Sequence, residues 1–451
     1  MVVMATVPET VYASNGTVHL AYQVLGAGPF DVLHVPEGYL PIDLMWDEPV
    51  LASAIRRIAS FSRLISCDLR GWGSSDAVPW SGVPAMQAWM DDLGAVLDAA
   101  GSEQATFFAA GGQACLPVML FAATHPERVR ALVLWSPYAK YARAPDYPWG
   151  VPQHTLDRMV DQYRQLVGTG RLIEVLAPSR QDDAGFRRWW ARCERLGAGP
   201  GSAASTYSIF VNTDVRAVLS SIQAPTLLLR RSGDGLIRSG HAKYLADQIA
   251  HAQLIELPGT DYIWYTEDAD VVIDHMQSFL TGVRAGATSN RVLSTVLFTD
   301  IVGSTQLAEE IGDQRWSVLL ARHDDIVARH VASFRGRVIR STGDGVLATF
   351  DGPARAIQCA RAMRDALALE GLKIRTGLHT GEVELKGTDD IGGIAVHIAA
   401  RVMALAGADE ILVSGAIPPL VLGSGISFTD RGTHPLKGVA HPWPIFAVEE
   451  G

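Results

Sequence analysis

The chain has 451 residues, too many for one ordinary domain, so two or three are expected. Hydrophobic residues make up 48% and charged residues 19%, the balance of a soluble globular protein, and a net charge of -10 argues against nucleic acid or an anionic membrane as partner. No apolar run approaches the length of a membrane span, no basic segment followed by an apolar stretch marks a signal peptide, and Cys67, Cys115, Cys193 and Cys359 are too scattered for a metal or redox pair. The cytoplasm is the default compartment.

Over residues 1–281 short apolar runs alternate with helical patterns. The runs are Val32 to Val35, Leu64 to Cys67, Thr106 to Ala109, Ala131 to Leu134 and Thr226 to Leu229, and they predict a parallel sheet covered on both faces. Leu116 to Ala123 reads as a core helix segment. Leu156, Met159, Val160 and Tyr163 recur at helical spacing, and Gly197 to Ser205 reads as a mobile loop.

Asp68-Leu-Arg-Gly-Trp-Gly-Ser-Ser-Asp76, His125-Pro-Glu-Arg-Val-Arg-Ala-Leu-Val-Leu134 and the Asp234 loop after Leu227 to Arg230 resemble the α/β-hydrolase family. The resemblance covers nearly all of this domain and implies that residues 138–222 form an inserted helical cap. The chemistry of that family needs a serine on a strained strand-to-helix elbow, G-x-S-x-G, with an acid and a histidine. Counted back from His125-Pro126, the elbow falls at Ala110-Gly-Gly-Gln-Ala114, with Gly112 in the serine position and no hydroxyl within the elbow. Asp234 keeps the acid position, but Tyr262 stands where the histidine belongs, in Leu257-Pro-Gly-Thr-Asp-Tyr-Ile-Trp264. A triad without nucleophile and base cannot run acyl transfer by the usual route. Cys115, one helical turn past the elbow, is the nearby alternative nucleophile; the bland reading is a buried core cysteine. Trp46, Trp72, Trp149, Trp189, Trp190 and Trp264 are candidates to line a pocket beneath the cap, against ordinary core packing. By fold analogy, a cavity without chemistry suggests a sensing or regulatory domain for a small apolar ligand.

Residues 282–290 are small and polar and read as a linker. Thr295-Val-Leu-Phe-Thr-Asp-Ile-Val-Gly-Ser-Thr305 then reads as a buried strand ending in Asp300 and a small-residue loop, with a helix capped by Ser304 or Thr305. Trp316, Leu319, Leu320, His323, Ile326, Val327 and His330 predict one helix; Ile357, Ala360, Met363 and Leu367 predict another. Between them, Val338 to Phe350 reads as a hairpin turning at Gly343-Asp344-Gly345. Strands are expected at Ile374 to His379 and Val383 to Leu385. A helix is expected from Gly393 to Leu405, with His397 and Arg401 on one face beside apolar Ile394, Ile398, Val402 and Leu405. Asp300 and Asp344 thus place two carboxylates at the mouth of a sheet, where they can hold two divalent cations, and the amides of Ile301, Val302, Gly303, Ser304 and Thr305 can hold phosphate.

With Gly377-Leu-His-Thr-Gly-Glu382 and Asp390-Ile-Gly-Gly-Ile-Ala-Val-His-Ile-Ala-Ala-Arg401, these stretches resemble the class III nucleotide cyclases from about Arg291 to Val448. The resemblance implies a ferredoxin-like α+β domain over residues 291–451. It makes Asp300 and Asp344 the ligands of two Mg²⁺ or Mn²⁺ ions and Arg401 the residue that steadies charge on the α-phosphate. His397 stands where the family usually has asparagine, and an imidazole cannot copy both faces of an amide. Asp390 and Arg340 occupy the positions of an aspartate and a lysine that read adenine; guanine would present an acceptor to Asp390, so ATP is favoured over GTP. Lys437, in Pro435-Leu-Lys-Gly438, loosely matches a phosphate-contacting lysine and reads equally as a loop lysine. His379 and Glu382 read as sheet supports. The family's sites lie across a dimer, which implies a homodimer with Asp300 and Asp344 from one chain and Arg340, Asp390, His397 and Arg401 from the other. The sequence therefore reads as a soluble homodimeric adenylyl cyclase fused to a hydrolase-like domain. Two rivals stay open: an esterase with a regulatory nucleotide-binding tail, and a non-catalytic nucleotide or ligand sensor.

Overall fold

The computed structural model describes residues 7–38, 40–77, 84–282, 291–341, 343–386, 390–439 and 441–449. Residues 283–290 of the expected linker lie outside these. Apart from residues 81–87, the chain divides into one compact unit up to Thr288 and a second from Ser289.

The first unit holds an eight-stranded sheet: β1 (Val11–Asn15), β2 (Val18–Leu25), β3 (Asp31–Val35), β4 (Arg63–Cys67), β5 (Ala105–Ala109), β6 (Val129–Trp135), β7 (Thr226–Arg231) and β8 (Ala252–Leu257), in the order β1-β2-β4-β3-β5-β6-β7-β8. All five predicted strands are present and run parallel; every residue of β5 and β7 is buried, which is why they read as unbroken apolar runs. The sheet is mixed rather than wholly parallel, because β1 and β2 add an antiparallel hairpin at one edge. Helices α1 (Pro49–Phe61), α2 (Ala85–Ala99) and α3 (Gly112–Thr124) intervene between the earlier strands. Between β6 and β7 lie α4 (Gln153–Leu166), α5 (Ile173–Leu176), α6 (Ala184–Gly197) and α7 (Pro200–Asn212), where the cap is expected; α8 (Ser239–Gln248) and α9 (Ala269–Gly282) complete the unit.

One expectation fails here. Gly197 to Ser205 is not a loop: Pro200 opens α7 at its first turn, and Ala203 and Ala204 are fully buried. Proline is preorganised at that position, and packing overrides the Gly/Ser composition. Tyr207 stacks on Tyr163 of α4 with ring centroids 4.7 Å apart.

The second unit contains β9 (Arg291–Ile301), α10 (Ser304–Ile311), α11 (Asp313–Ser333), β10 (Arg337–Ser341), β11 (Gly345–Phe350), α12 (Pro353–Leu369), β12 (Ile374–Lys386), β13 (Asp390–Gly392), α13 (Ile394–Leu405), β14 (Ile411–Ser414), β15 (Phe428–His434) and β16 (Trp443–Val448). Its sheet runs β10-β11-β9-β12-β14-β16-β15, with β13 paired to β12. Neighbouring residues of β9 serve opposite faces: Leu297 packs in a core with Ile326, Ile357 and Met363 of α11 and α12, and Val296 in one with Ala395 and Ala399 of α13. The two strands expected after Ile374 are one continuous strand, β12, because it pairs with β9 from Ile374 through Glu384. The buried residues of α13 are Ala395, Ile398, Ala399 and Val402, whereas Ile394 and Leu405, expected on the apolar face, are 53% and 42% exposed. Among the described residues, no helix is long and apolar enough to cross a membrane.

Candidate functional sites

In the second unit, β9 and β11 bring Asp300 and Asp344 together. Asp300 pairs in register with Gly345, and the Ile301 amide donates to the Asp344 carbonyl at 3.0 Å. After β9 the chain turns at Gly303, whose φ of 71° is left-handed and suits glycine, and α10 begins at Ser304. Neither Ser304 nor Thr305 caps the helix; Gly303 is the cap residue, and the Ser304 hydroxyl donates to the Asp344 carboxylate instead. The amides of Ile301 and Val302 are committed to the carbonyls of Asp344 and Lys373, so two of the five expected phosphate donors are withdrawn. Gly303, Ser304 and Thr305 remain at the helix start, where backbone N–H groups have no intrahelical acceptor.

Asp390 and Arg340 meet as an ion pair, Nη2 to Oδ1, at 2.9 Å, both partly exposed. Arg340 follows a bulge between Val338 and Arg340, a device that re-aims a strand side chain. His397 and Arg401 are exposed on α13, and Ile394 and Leu405 share their side of the helix. Lys437 is exposed in the turn after β15, and among the described residues no contact joins it to either aspartate. His379 is buried, bonds the Ser414 hydroxyl at 2.7 Å and lies edge-on to Trp443; burial pushes its pKa down to about 4. Glu382 pairs with Arg291. Both residues support the sheet, as expected.

In the first unit, β5 ends at Ala109 and α3 begins at Gly112, so the expected elbow is a strand-to-helix turn. The Gly112 amide donates to the Tyr262 hydroxyl at 2.7 Å, which joins the two positions where nucleophile and base are missing. Tyr262 in turn donates to Glu37 Oε2 at 2.9 Å. Glu37 is buried, and desolvation pushes its pKa up to about 8 even though the Tyr262 hydrogen bond opposes the shift. A Cβ on Gly111 would lie 1.2 Å from Glu37 Oε2, and one on Gly112 would lie 2.6 Å from the Tyr138 ring and 2.9 Å from the Ser136 carbonyl oxygen. The elbow is therefore filled from the side, and only glycine fits. Asp234 accepts from the Ser136 hydroxyl and from the amides of Leu236 and Ile237, which makes it an anchor for its own loop. Cys115 is fully buried and desolvation raises its pKa well above the usual thiol value, the state of an inert core cysteine.

A cavity of about 140 Å³ lies between the elbow and the cap, lined by residues that include Tyr138, Tyr163, Tyr207 and Tyr262. Tyrosines line it where tryptophans were expected. Trp190 and Trp264 border a smaller cavity of about 20 Å³ beside Glu37. Trp46 and Trp189 donate to Gln23 and to the Leu44 carbonyl, while Trp72 and Trp149 pack over Gly38 and Gly240.

Comparison with known proteins decides the family of each unit. Residues 45–263 match the alpha/beta hydrolase fold, and residues 288–449 match the adenylate and guanylate cyclase catalytic domain. The chain joins an α/β-hydrolase domain to a class III nucleotide cyclase domain. It is 32% identical over 165 residues to "Putative adenylate cyclase 3" of Rhizobium meliloti, a match covering 35% of this chain and 28% of that protein. Over 154 residues it is 27% identical to a pimeloyl-[acyl-carrier protein] methyl ester esterase of Nitrosomonas europaea, covering 33% of this chain and 59% of that protein. The chain thus spans less than two thirds of either relative. An esterase structure from Exiguobacterium antarcticum, at 17% identity and a TM-score of 0.53, covers 61% of this chain and 100% of that one, and shows the fold of the first domain.

Two residues of these sites carry no signal in the motifs. Glu37 of the hydrolase domain meets Tyr262 from 225 positions away, and burial of its carboxyl is invisible in sequence. In the cyclase domain Arg375 stands opposite Asp300 across the β9–β12 ladder and donates from Nε to Asp300 Oδ2 at 2.9 Å, with a second bond from Nη2. The alternation of β12 could have placed it on the mouth side. Asp300 thus carries a guanidinium at the position expected to hold a metal. Among the described residues no cluster of three or more His, Cys, Asp or Glu could hold a metal. A divalent ion on Asp300 and Asp344 would therefore complete its oxygen shell from backbone, water and phosphate, as magnesium commonly does.

Proposed function

We propose that the cyclase domain is an adenylyl cyclase that converts ATP to cyclic AMP and pyrophosphate as a homodimer. The hydrolase domain would serve as a regulatory unit that binds a small apolar ligand without hydrolysing it. The observation that carries this reading is the Arg340–Asp390 pair: the two residues at the base-reading positions, 50 apart in sequence, meet at 2.9 Å. Asp390 can accept from the adenine 6-amino group while Arg340 donates to a ring nitrogen; the guanine 6-oxygen would face a carboxylate. Asp300 and Asp344 would hold two Mg²⁺ or Mn²⁺ ions, which when bound neutralise phosphate charge and lower the pKa of the ribose 3′-hydroxyl. The amides of Gly303, Ser304 and Thr305 would hold the outer phosphates, and Arg401 would steady charge on the α-phosphate during in-line transfer. His397 would orient the ribose or the transferring phosphate with a single donor.

The exposed Ile394, His397, Arg401 and Leu405 stripe on α13 supports the dimer, since a second copy would cover the apolar ends and bring Arg401 to the partner's aspartates. Mixing two inactive variants tests this. Asp344→Ala and Arg401→Ala form a heterodimer with one doubly defective and one intact site, so activity should return on mixing. No recovery, with subunit exchange confirmed by mass, would sink the composite site.

A further inference from the structure

We propose that the cavity beneath the cap of the hydrolase domain takes an uncharged carbonyl compound with an apolar body the size of an aromatic ring, its oxygen held by the hydroxyls of Tyr138 and Tyr207. This rests on the reading of that domain as a binding unit and names the class of its ligand. Tyr138 and Tyr207 line the cavity and are only 3% and 9% exposed, yet neither hydroxyl is among the enclosed polar atoms without a partner, so both open onto the cavity. Hydroxyls that open onto a mostly apolar wall are placed to donate to an acceptor on a ligand inside it. Both phenols stay protonated, because burial pushes their pKa values up, and each can donate. A carbonyl oxygen has two lone pairs and can accept from both.

The rest of the wall fixes the remaining properties. Among the described residues no Asp, Glu, Lys, Arg or His lines the cavity, so a charged ligand would lose its water without gaining a counter-ion. Met159, Leu166, Val211 and Ile237 supply apolar surface. The volume of about 140 Å³ is close to that of the engineered cavity of about 150 Å³ known to hold benzene. The elbow cannot take the carbonyl at the Gly112 amide, which already donates to Tyr262. The grip is then assigned to the phenols, beside the side-chain amides of Gln113 and Gln162 on the same wall.

Acetophenone, ethylbenzene and benzoate, titrated into the full chain by calorimetry with ligand-observed NMR, test the proposal. Acetophenone should bind at one site per chain, tighter than ethylbenzene, and benzoate should not bind. Tyr138→Phe and Tyr207→Phe should each weaken acetophenone about two- to tenfold, the worth of one hydrogen bond, and leave ethylbenzene unchanged, which also shows the cavity intact. The proposal is overturned if benzoate binds as well as acetophenone, if acetophenone shows no advantage over ethylbenzene, or if both phenylalanine variants bind acetophenone like the wild type. Phenyl acetate separates this from the broader reading. It should bind and survive; cleavage lost in Cys115→Ala would overturn the non-hydrolytic reading while the binding series still decides the ligand class.

Discussion

Replacing Glu37 by glutamine should remove that residue's share of a pH-dependent loss of stability in the hydrolase domain. The folded carboxyl titrates at about 8 against an ordinary value of 4.5, because burial penalises its charge. Between those values the folded state keeps a proton that the unfolded state has released, so stability falls as pH rises, and the fall ends once both states are ionised above about 8. At 1.36 kcal/mol per pKa unit the interval corresponds to a loss of about 5 kcal/mol. The amide that replaces the carboxyl keeps an acceptor for the Tyr262 hydroxyl and has nothing to ionise. Asp68 and Glu194, whose pKa values burial raises to about 7, add slopes of the same sign, but they are common to both proteins and cancel in the difference. Nine of the eleven tryptophans lie before residue 282, so urea unfolding followed by tryptophan fluorescence reports chiefly on this domain. The wild type should lose stability relative to Glu37→Gln from pH 5 to 8. Parallel curves for the two proteins would mean that Glu37 is ionised in the fold and that the filled elbow is wrongly described.

Rebuilding the missing triad residues should fail. Gly112→Ser with Tyr262→His places a Cβ 2.6 Å from the Tyr138 ring and should cost about 1–3 kcal/mol of stability without yielding hydrolysis of nitrophenyl acetate; efficient turnover would show that the elbow is open. Arg375→Ala should tighten Mn²⁺ binding to the nucleotide-free protein, read by electron paramagnetic resonance. The gain should be at most about fivefold, because a part-exposed ion pair is worth about 0.2–1 kcal/mol. Unchanged affinity would mean that Arg375 does not compete for Asp300.

Much of this architecture is legible in the sequence because its signals are local. The buried strands β3 to β7 announce themselves as apolar runs, and the Asp300 and Asp344 turns as carboxylates among glycines. Strands β1, β2 and β8, at or beside the sheet edges, do not, since polar residues interrupt each of them. The Gly197 to Ser205 segment misleads because small residues serve close helix packing as readily as a loop. The deeper misses are all pairings across the fold. Glu37 beside Gly111, Tyr138 over Gly112 and Arg375 on Asp300 are set by strand register and burial. The withdrawal of the Ile301 and Val302 amides has the same origin, in carbonyls supplied by neighbouring segments.

The central claim is that Asp300 and Asp344 serve cyclisation of ATP. The most direct measurement incubates the purified full chain with ATP or GTP and Mn²⁺ and quantifies cyclic nucleotide and pyrophosphate together. Cyclic AMP and pyrophosphate should appear in equal amounts, well above cyclic GMP, and both should vanish in Asp300→Ala and in Asp344→Ala. Preferential cyclic GMP formation would contradict the base reading of Arg340 and Asp390, and cyclic AMP formation that persists in either alanine variant would contradict the site itself.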